Sequence, residues 1–212
     1  MKRIFAVAVF AVLAVSFLPS PAWAQGCDQS CDGLTSLPPQ DPPARSFDDF
    51  IQQAYLGAYG RPATCDERAF EFSALSSAAS NGLLLAEAQR FVATLFETET
   101  SYDDGGSPYT QTAEYEALNS NSYTDRAHLQ AFVTDLYEAF LQRSPDDGGL
   151  CFWTNQACTD PGHRRHVIQA FVVSIEFSNL VSHLFVGTAP SCGFGGGGGG
   201  GDCGGGRIGQ IC

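Results

Sequence analysis

The chain has 212 residues with 23 acidic against 11 basic side chains, a formal charge of −12, and the acids are scattered rather than gathered in a run. Such a charge disfavours nucleic acid and anionic membrane surfaces as partners. It reads as solubility outside the cytoplasm.

Lys2 and Arg3 precede an apolar stretch from Ile4 to Leu18 and the small-residue site Ala22-Trp23-Ala24, the pattern of a secretory signal. Cleavage after Ala24 removes 24 of the 212 residues and leaves 188, beginning at Gln25 and carrying 23 acids against 9 bases, or −14. The apolar run is shorter than the roughly 18 residues that span a bilayer, which disfavours an uncleaved anchor. Gln25 before Gly26-Cys27 disfavours a lipoprotein site. The mature protein is therefore expected to be exported, to periplasm, cell surface or medium, with no stable membrane span.

Residues 25–45 combine Cys27 and Cys31 with Pro38, Pro39, Pro42 and Pro43 and read as an extended, disordered leader. All eight cysteines (Cys27, Cys31, Cys65, Cys151, Cys158, Cys192, Cys203 and Cys212) follow the cleavage site, an even number in a compartment that permits disulfides. Their spacings do not form paired metal-ligand motifs. Two cysteines seven positions apart on one helix lie about 10 Å apart, beyond disulfide reach. Either the helix breaks between Cys151 and Cys158, or one of them pairs with Cys65.

Ser46 is a plausible N-cap, with Asp48 and Asp49 in the first turn. Phe47, Phe50, Ile51, Ala54, Tyr55, Ala58 and Tyr59 recur behind it at helical spacing. Thr64 and Glu67 have the spacing of a capping box and open a second helix that stops before Ser80-Asn81-Gly82. A third runs from Leu83 to about Thr98, with Leu84, Leu85, Ala88, Phe91, Val92, Leu95 and Phe96 in register. The turn-rich stretch Asp103 to Pro108 follows, then a short helix through Tyr115. From Thr124 the pattern restarts with Leu129, Phe132, Val133, Leu136, Tyr137, Phe140 and Leu141, and ends at Ser144-Pro145-Asp146-Asp147-Gly148-Gly149. A short helix carries Phe152 and Trp153. One long helix is expected after Pro161-Gly162, with Val167, Ile168, Phe171, Val172, Ile175, Leu180, Val181 and Leu184 as its core. No stretch shows period-two alternation, so no strand is expected. The tail, with its glycine run from Gly195 to Gly201, cannot order itself by burial.

Placing Phe50 on Phe132 aligns FIQQAYLGAYGR (50–61) with FVTDLYEAFLQR (132–143), so that Phe, Tyr and Arg coincide and Pro62 or Pro145 follows. Each copy closes on a related tetrad, Thr112-Ala113-Glu114-Tyr115 and Ser174-Ile175-Glu176-Phe177. This is an internal duplication of a supersecondary unit. The residues FVTDLYEAFLQRSPDDGGLCFW and the tetrad SIEF, within about Leu129 to Leu180, resemble the domain-of-unknown-function family 4214, a helical module similar to the repeat domain of phycobilisome linkers. The first copy, about 46–115, lacks the Gly-Gly and Trp and carries an insertion around 101–108. The resemblance implies an exported or surface-associated bacterial module, often appended to other domains, with no established catalytic activity. Phycobilisome function does not follow from it, because the chain carries a secretory signal.

Arg61 and Arg143 sit where their helices end, and Glu114 and Glu176 sit in the closing tetrads. A structural ion pair is expected between Arg143 and Glu176, and a weaker one between Arg61 and Glu114. The Asp-Asp-Gly-Gly turns at 103–106 and 146–149 lack the alternating acids of an EF-hand loop and read as glycine-rich turns. His163 and His166 flank Arg164 and Arg165, which repel a cation, so solvated residues are expected; His128 and His183 are isolated. Phe152, Trp153, Tyr55 and Tyr137 suit a ligand-stacking surface in chemistry, but their helical spacing points to core. No nucleophile elbow, metalloprotease helix or phosphate loop is present in the sequence.

The expected protein is all-α, with two related helical units packed as one bundle-like domain. Its segments are the signal 1–24, leader 25–45, first unit 46–118, second unit 124–186 and tail 187–212. No catalytic residue, metal site or cofactor is assigned, and the expected role is a non-catalytic interaction or structural module contacting a protein or glycan at the cell surface. A secreted enzyme of unrecognised type and a calcium-responsive surface protein are the alternatives.

Overall fold

The computed structural model describes residues 30–36, 38, 42–97, 112–119, 126–158 and 161–191. The signal, the turn at 103–106, Cys27, Cys192, Cys203, Cys212 and the glycine run lie outside the described residues. The fold is all-α. Its helices are α1 (Phe47–Tyr59), α2 (Cys65–Ser80), α3 (Leu84–Phe96), α4 (Ala113–Asn119), α5 (Arg126–Leu136), α6 (Asp147–Cys158), α7 (Pro161–Val172) and α8 (Ile175–Ser182).

The helix starts follow from side-chain chemistry. Ser46 Oγ accepts from the Asp49 amide at 3.1 Å. Thr64 and Glu67 form a reciprocal capping box, in which Thr64 Oγ1 accepts from the Glu67 amide and Glu67 accepts from the Thr64 amide. Each bond satisfies an amide that the first helical turn otherwise leaves without a partner.

Several expectations need correction. The long helix after Pro161 is two helices, because Ser174 takes an extended conformation (φ −67°, ψ 146°) and its hydroxyl accepts from the Phe177 amide, restarting the helix as α8. Ile175 then falls at the first position of the new helix and is 76% exposed rather than core, and Leu184 sits in a strand. Leu85 on α3 is likewise exposed. A short parallel pairing joins Arg45–Ser46 to Leu184–Phe185, where no strand was expected. The described part of the leader is not free. Cys31 is disulfide-bonded to Cys151 on α6, with Cα atoms 5.8 Å apart, and the Gly148 amide donates to the Thr35 carbonyl at 3.0 Å. Since α6 is continuous from Asp147 to Cys158, the helix does not break between its two cysteines, and Cys151 is not the one that pairs with Cys65. Cys65 and Cys158 are each engaged in a disulfide as well.

The α5 helix runs on into a π-helical turn, Tyr137–Leu141, that lies against α1. The closest approach is between Gly57 and the Ala139 backbone. A Cβ on Gly57 would stand 2.6 Å from the Glu138 carbonyl carbon, and the alignment of Phe50 with Phe132 places Gly57 on Ala139. Ring contacts recur in the same register. Phe50 packs on Phe177 and Phe132 on Tyr115, both at 6.4 Å between centroids, while Tyr55 meets Phe91 and Tyr137 meets Phe171. Phe140 and Phe96 stack between these pairs and are fully buried.

Alanine normally stabilises a helix interior relative to glycine by about 1 kcal/mol. At Gly57 the sign should reverse, because the added methyl meets backbone that cannot swing aside, and overpacking of this kind costs about 1–3 kcal/mol. Thermal unfolding of Gly57→Ala should show a lowered Tm; an unchanged or raised Tm would contradict the close approach.

Candidate functional site

Arg143 follows Gln142, a residue held in the left-handed region (φ 53°) by the end of the π-turn. The turn aims the guanidinium at the first turn of α8. There Nε donates to Glu176 Oε1 at 2.6 Å and Nη2 to Oε2 at 3.1 Å, while Nη1 donates to the Ser144 carbonyl at 3.1 Å. Its carbon lies 4.9 Å from the Tyr137 ring centroid, close enough for cation–π attraction.

Arg61, after left-handed Gly60, repeats the arrangement. Its Nε donates to Glu114 Oε1 at 2.7 Å, its Nη1 to the Pro62 carbonyl at 3.1 Å, and its carbon lies 5.3 Å from the Tyr55 ring centroid. Glu114 and Glu176 each lie in the first turn of a helix whose opening amides are capped, by Thr112 and Ser174, where a carboxylate is favoured by the helix dipole. The two arginine–glutamate pairs named from the sequence are thus both formed.

Sequence reasoning missed a second carboxylate at each arginine. Glu67 receives two bonds from Arg61 at 2.9 Å, and this guanidinium holds its carboxyl down to about 2. At the other fork Asp146 caps α6 by accepting from the Gly149 amide at 2.8 Å, and its Oδ2 stands 3.7 Å from Arg143. The signal was present, since the alignment sets Asp146 on the capping Thr64; a reading of the segment as a glycine-rich turn hid it.

Beside this second fork lies an open cleft of about 420 Å³. Its walls come from the strap at 31–36, through Cys31, Leu34 and Ser36, from the start of α6, through Asp146, Gly148, Gly149, Phe152 and Trp153, and from Tyr137, Arg143 and Glu176. Phe152 and Trp153 meet edge to face with centroids 4.9 Å apart, and Trp153 rests on Phe171. Phe152 is 49% exposed and Leu34 43%. Phe152 is therefore not core as its spacing suggested, whereas Tyr55 and Tyr137 are buried. The two glycines serve different neighbours. A Cβ on Gly148 would press on the strap, 2.9 Å from the Thr35 carbonyl oxygen, and one on Gly149 would press on the Tyr137 phenol.

Away from the cleft, Tyr115 donates to Asp135 Oδ2 at 2.6 Å, and burial pushes the Asp135 carboxyl up to about 7 against the pull of that bond. His166 is exposed and His163 half-buried, with rings 5.7 Å apart. Arg164 and Arg165 beside them are buried rather than solvated, and Arg165 Nε stands 3.7 Å from Glu97 Oε2. Among the described residues no group of three or more His, Cys, Asp or Glu gathers as a metal site, and no helix is long and apolar enough to cross a membrane.

Fold and site together define a small all-α module, disulfide-braced, with arginine forks closing its helix ends and a shallow cleft beside one of them. Residues 114–181 match the family described as a domain of unknown function (DUF4214). The matched stretch begins upstream of the expected Leu129 and takes in α4 as well as α5 to α8. No curated protein and no solved structure matches the chain.

The Arg143–Glu176 pair is mostly buried, with side chains 17% and 16% exposed. Arg143→Ala should lower stability by about 2–3 kcal/mol, between the values for surface and buried pairs. Arg143→Lys should recover little of it, since an ammonium cannot reproduce the planar fork. Arg61→Ala should cost less, because Arg61 is 34% exposed and its partners Glu67 and Glu114 28% and 41%, so water screens both of its pairs more. Chemical denaturation of the three variants tests the ranking, and a wild-type curve for Arg143→Ala would contradict it.

Asp135 supplies a pH dependence. Its folded carboxyl titrates above its unfolded value, so its contribution is intact below about 4 and is lost as pH rises toward about 7. Asp135→Asn should therefore gain stability on the wild type between pH 5 and 8. Equal slopes for the two proteins over that range would contradict the assignment.

Proposed function

We propose that the chain is an exported, non-catalytic interaction module of the bacterial envelope or exterior, built from two DUF4214-like helical units, and that it contacts its partner through the cleft beside α6. The carrying observation is the division of labour in that cleft: its charged side chains are engaged with one another, Arg143 between Glu176 and Asp146, while Leu34 and Phe152 are left facing solvent. Exposed apolar side chains that share a concave wall are what a binding surface offers. The carboxyl raised to about 7, Asp135, does not line the cleft, which favours binding over acid–base chemistry there. Export is supported by the basic-then-apolar start, the Ala-Trp-Ala site and the use of cysteine in disulfides.

Expression in a bacterial host followed by intact-mass analysis should find a secreted or periplasmic chain beginning at Gln25 with its thiols oxidised. Affinity capture from native envelope with that chain should retain material that Phe152→Ala does not. A protein recovered in the cytoplasm with Met1 in place, or capture indifferent to Phe152, would overturn the reading.

A further inference from the structure

We infer that the cleft beside α6 is a binding site for a neutral saccharide, a ligand class that rests on the reading of the cleft as the contact surface. The argument begins with what the cleft refuses. Arg143 already donates to both oxygens of Glu176 and to the Ser144 carbonyl, with Asp146 Oδ2 3.7 Å away. A cationic ligand would have to compete with Arg143 for Glu176, both of whose oxygens the guanidinium already bonds. An anionic ligand would have to compete with the carboxylates for Arg143, against a local surplus of one negative charge. A purely apolar ligand would strip water from the fork and return no hydrogen bonds.

A neutral polyol avoids all three costs. A carboxylate has about four lone-pair positions, so Glu176 can accept ligand hydroxyls while keeping its bonds to Arg143. Asp146 Oδ2, beyond hydrogen-bond distance of Arg143, can accept another, and the Ser36 hydroxyl, on the strap beside Gly148, can donate or accept. Planar polar groups set close together suit the vicinal hydroxyls of a sugar ring. Next to them stands the half-exposed ring of Phe152, fixed edge to face on Trp153 and, through Trp153, on Phe171. An aromatic ring held rigid presents a flat apolar surface at little entropic cost, and the C–H face of a pyranose is the matching surface. The volume, about 420 Å³, falls in the range of small-ligand sites.

The other helical unit supplies an internal control. Phe70 on α2 aligns with Phe152 and is 66% exposed, but the position of Trp153 is held there by Glu71, which is paired with Arg90, so that no equivalent ring among the described residues backs Phe70. An exposed phenylalanine alone should not bind sugar; one with the supported ring and the fork beside it should.

The test is isothermal titration of the mature, oxidised chain with maltohexaose, cellohexaose and chitotetraose as neutral probes and oligogalacturonate as an anionic one. At least one neutral probe should bind saturably with a Kd at or below about 1 mM, and oligogalacturonate should not. Phe152→Ala should weaken binding at least about tenfold with an unchanged Tm, Phe152→Trp should keep it, and Phe70→Ala should leave it as in the wild type. Absence of binding by all the neutral probes, equal binding of oligogalacturonate, or equal loss in Phe70→Ala and Phe152→Ala would each overturn the saccharide assignment. If envelope capture instead yields a protein retained through Phe152 while no probe titrates, the saccharide assignment falls and the interaction module stands. Capture indifferent to Phe152 removes both.

Discussion

The arginine fork is the interaction on which the rest of this structure depends. At each of two helix ends a left-handed residue, Gly60 or Gln142, turns the chain so that the following arginine reaches a glutamate in the first turn of a distant helix. A guanidinium suits this position because one rigid plane can bond a carboxylate, bond the next residue's carbonyl and lie over a tyrosine ring. Without it, a helix end, a turn and the opening of α4 or α8 would have to be brought together by apolar contact alone, which carries little direction. The helices are cemented by rings, but the forks decide which helix start faces which helix end.

The two forks differ in their surroundings, and the cleft follows from the difference. In the first, Glu67 fills the space beside the arginine and closes the capping box. At the aligned position of the second stands Gly149, where a Cβ would press on the Tyr137 phenol, and the second carboxylate comes from Asp146 instead. One turn on, Glu71 is matched by Trp153. Where the first fork has a charged side chain tied to Arg90, the second has an indole that lines an opening. Together the changes remove side-chain volume next to the arginine and place aromatic surface around the space.

The sequence was most informative where the signal is local and chemical. Ser46, Thr64 and Glu67 could be read as caps because a cap needs a particular residue type at a particular spacing. The arginine–glutamate pairs could be read because the same two residues recur in both copies. Apolar periodicity misled at the ends of elements. From Phe171 to Val181 the pattern runs through without pause, so nothing in it marks Ser174 as the start of a new helix, and Ile175 was placed inside when it lies outside. Periodicity also cannot tell the ring that rests on the core, Trp153, from its neighbour Phe152, which turns away. Glycine pairs are ambiguous in the same way, since a sequence shows that room is required but not for what.

The strap answers that last question for Gly148. Its amide bonds the Thr35 carbonyl, and its missing side chain is what lets Thr35 and Ser36 come so near the start of α6. One turn later Cys151 fixes Cys31, so residues 31–36 are held to α6 by a covalent bond and a backbone bond. Leu34 and Ser36 form a wall of the cleft only because of these two attachments. The backbone bond alone is worth about 1 kcal/mol, too little to order a six-residue segment with little apolar content against its conformational entropy. The disulfide, which closes a loop across most of the folded domain, supplies the larger share. It follows that the cleft has its full set of walls where the Cys31–Cys151 bond is formed, as an oxidising compartment allows, and lacks one where thiols are kept reduced.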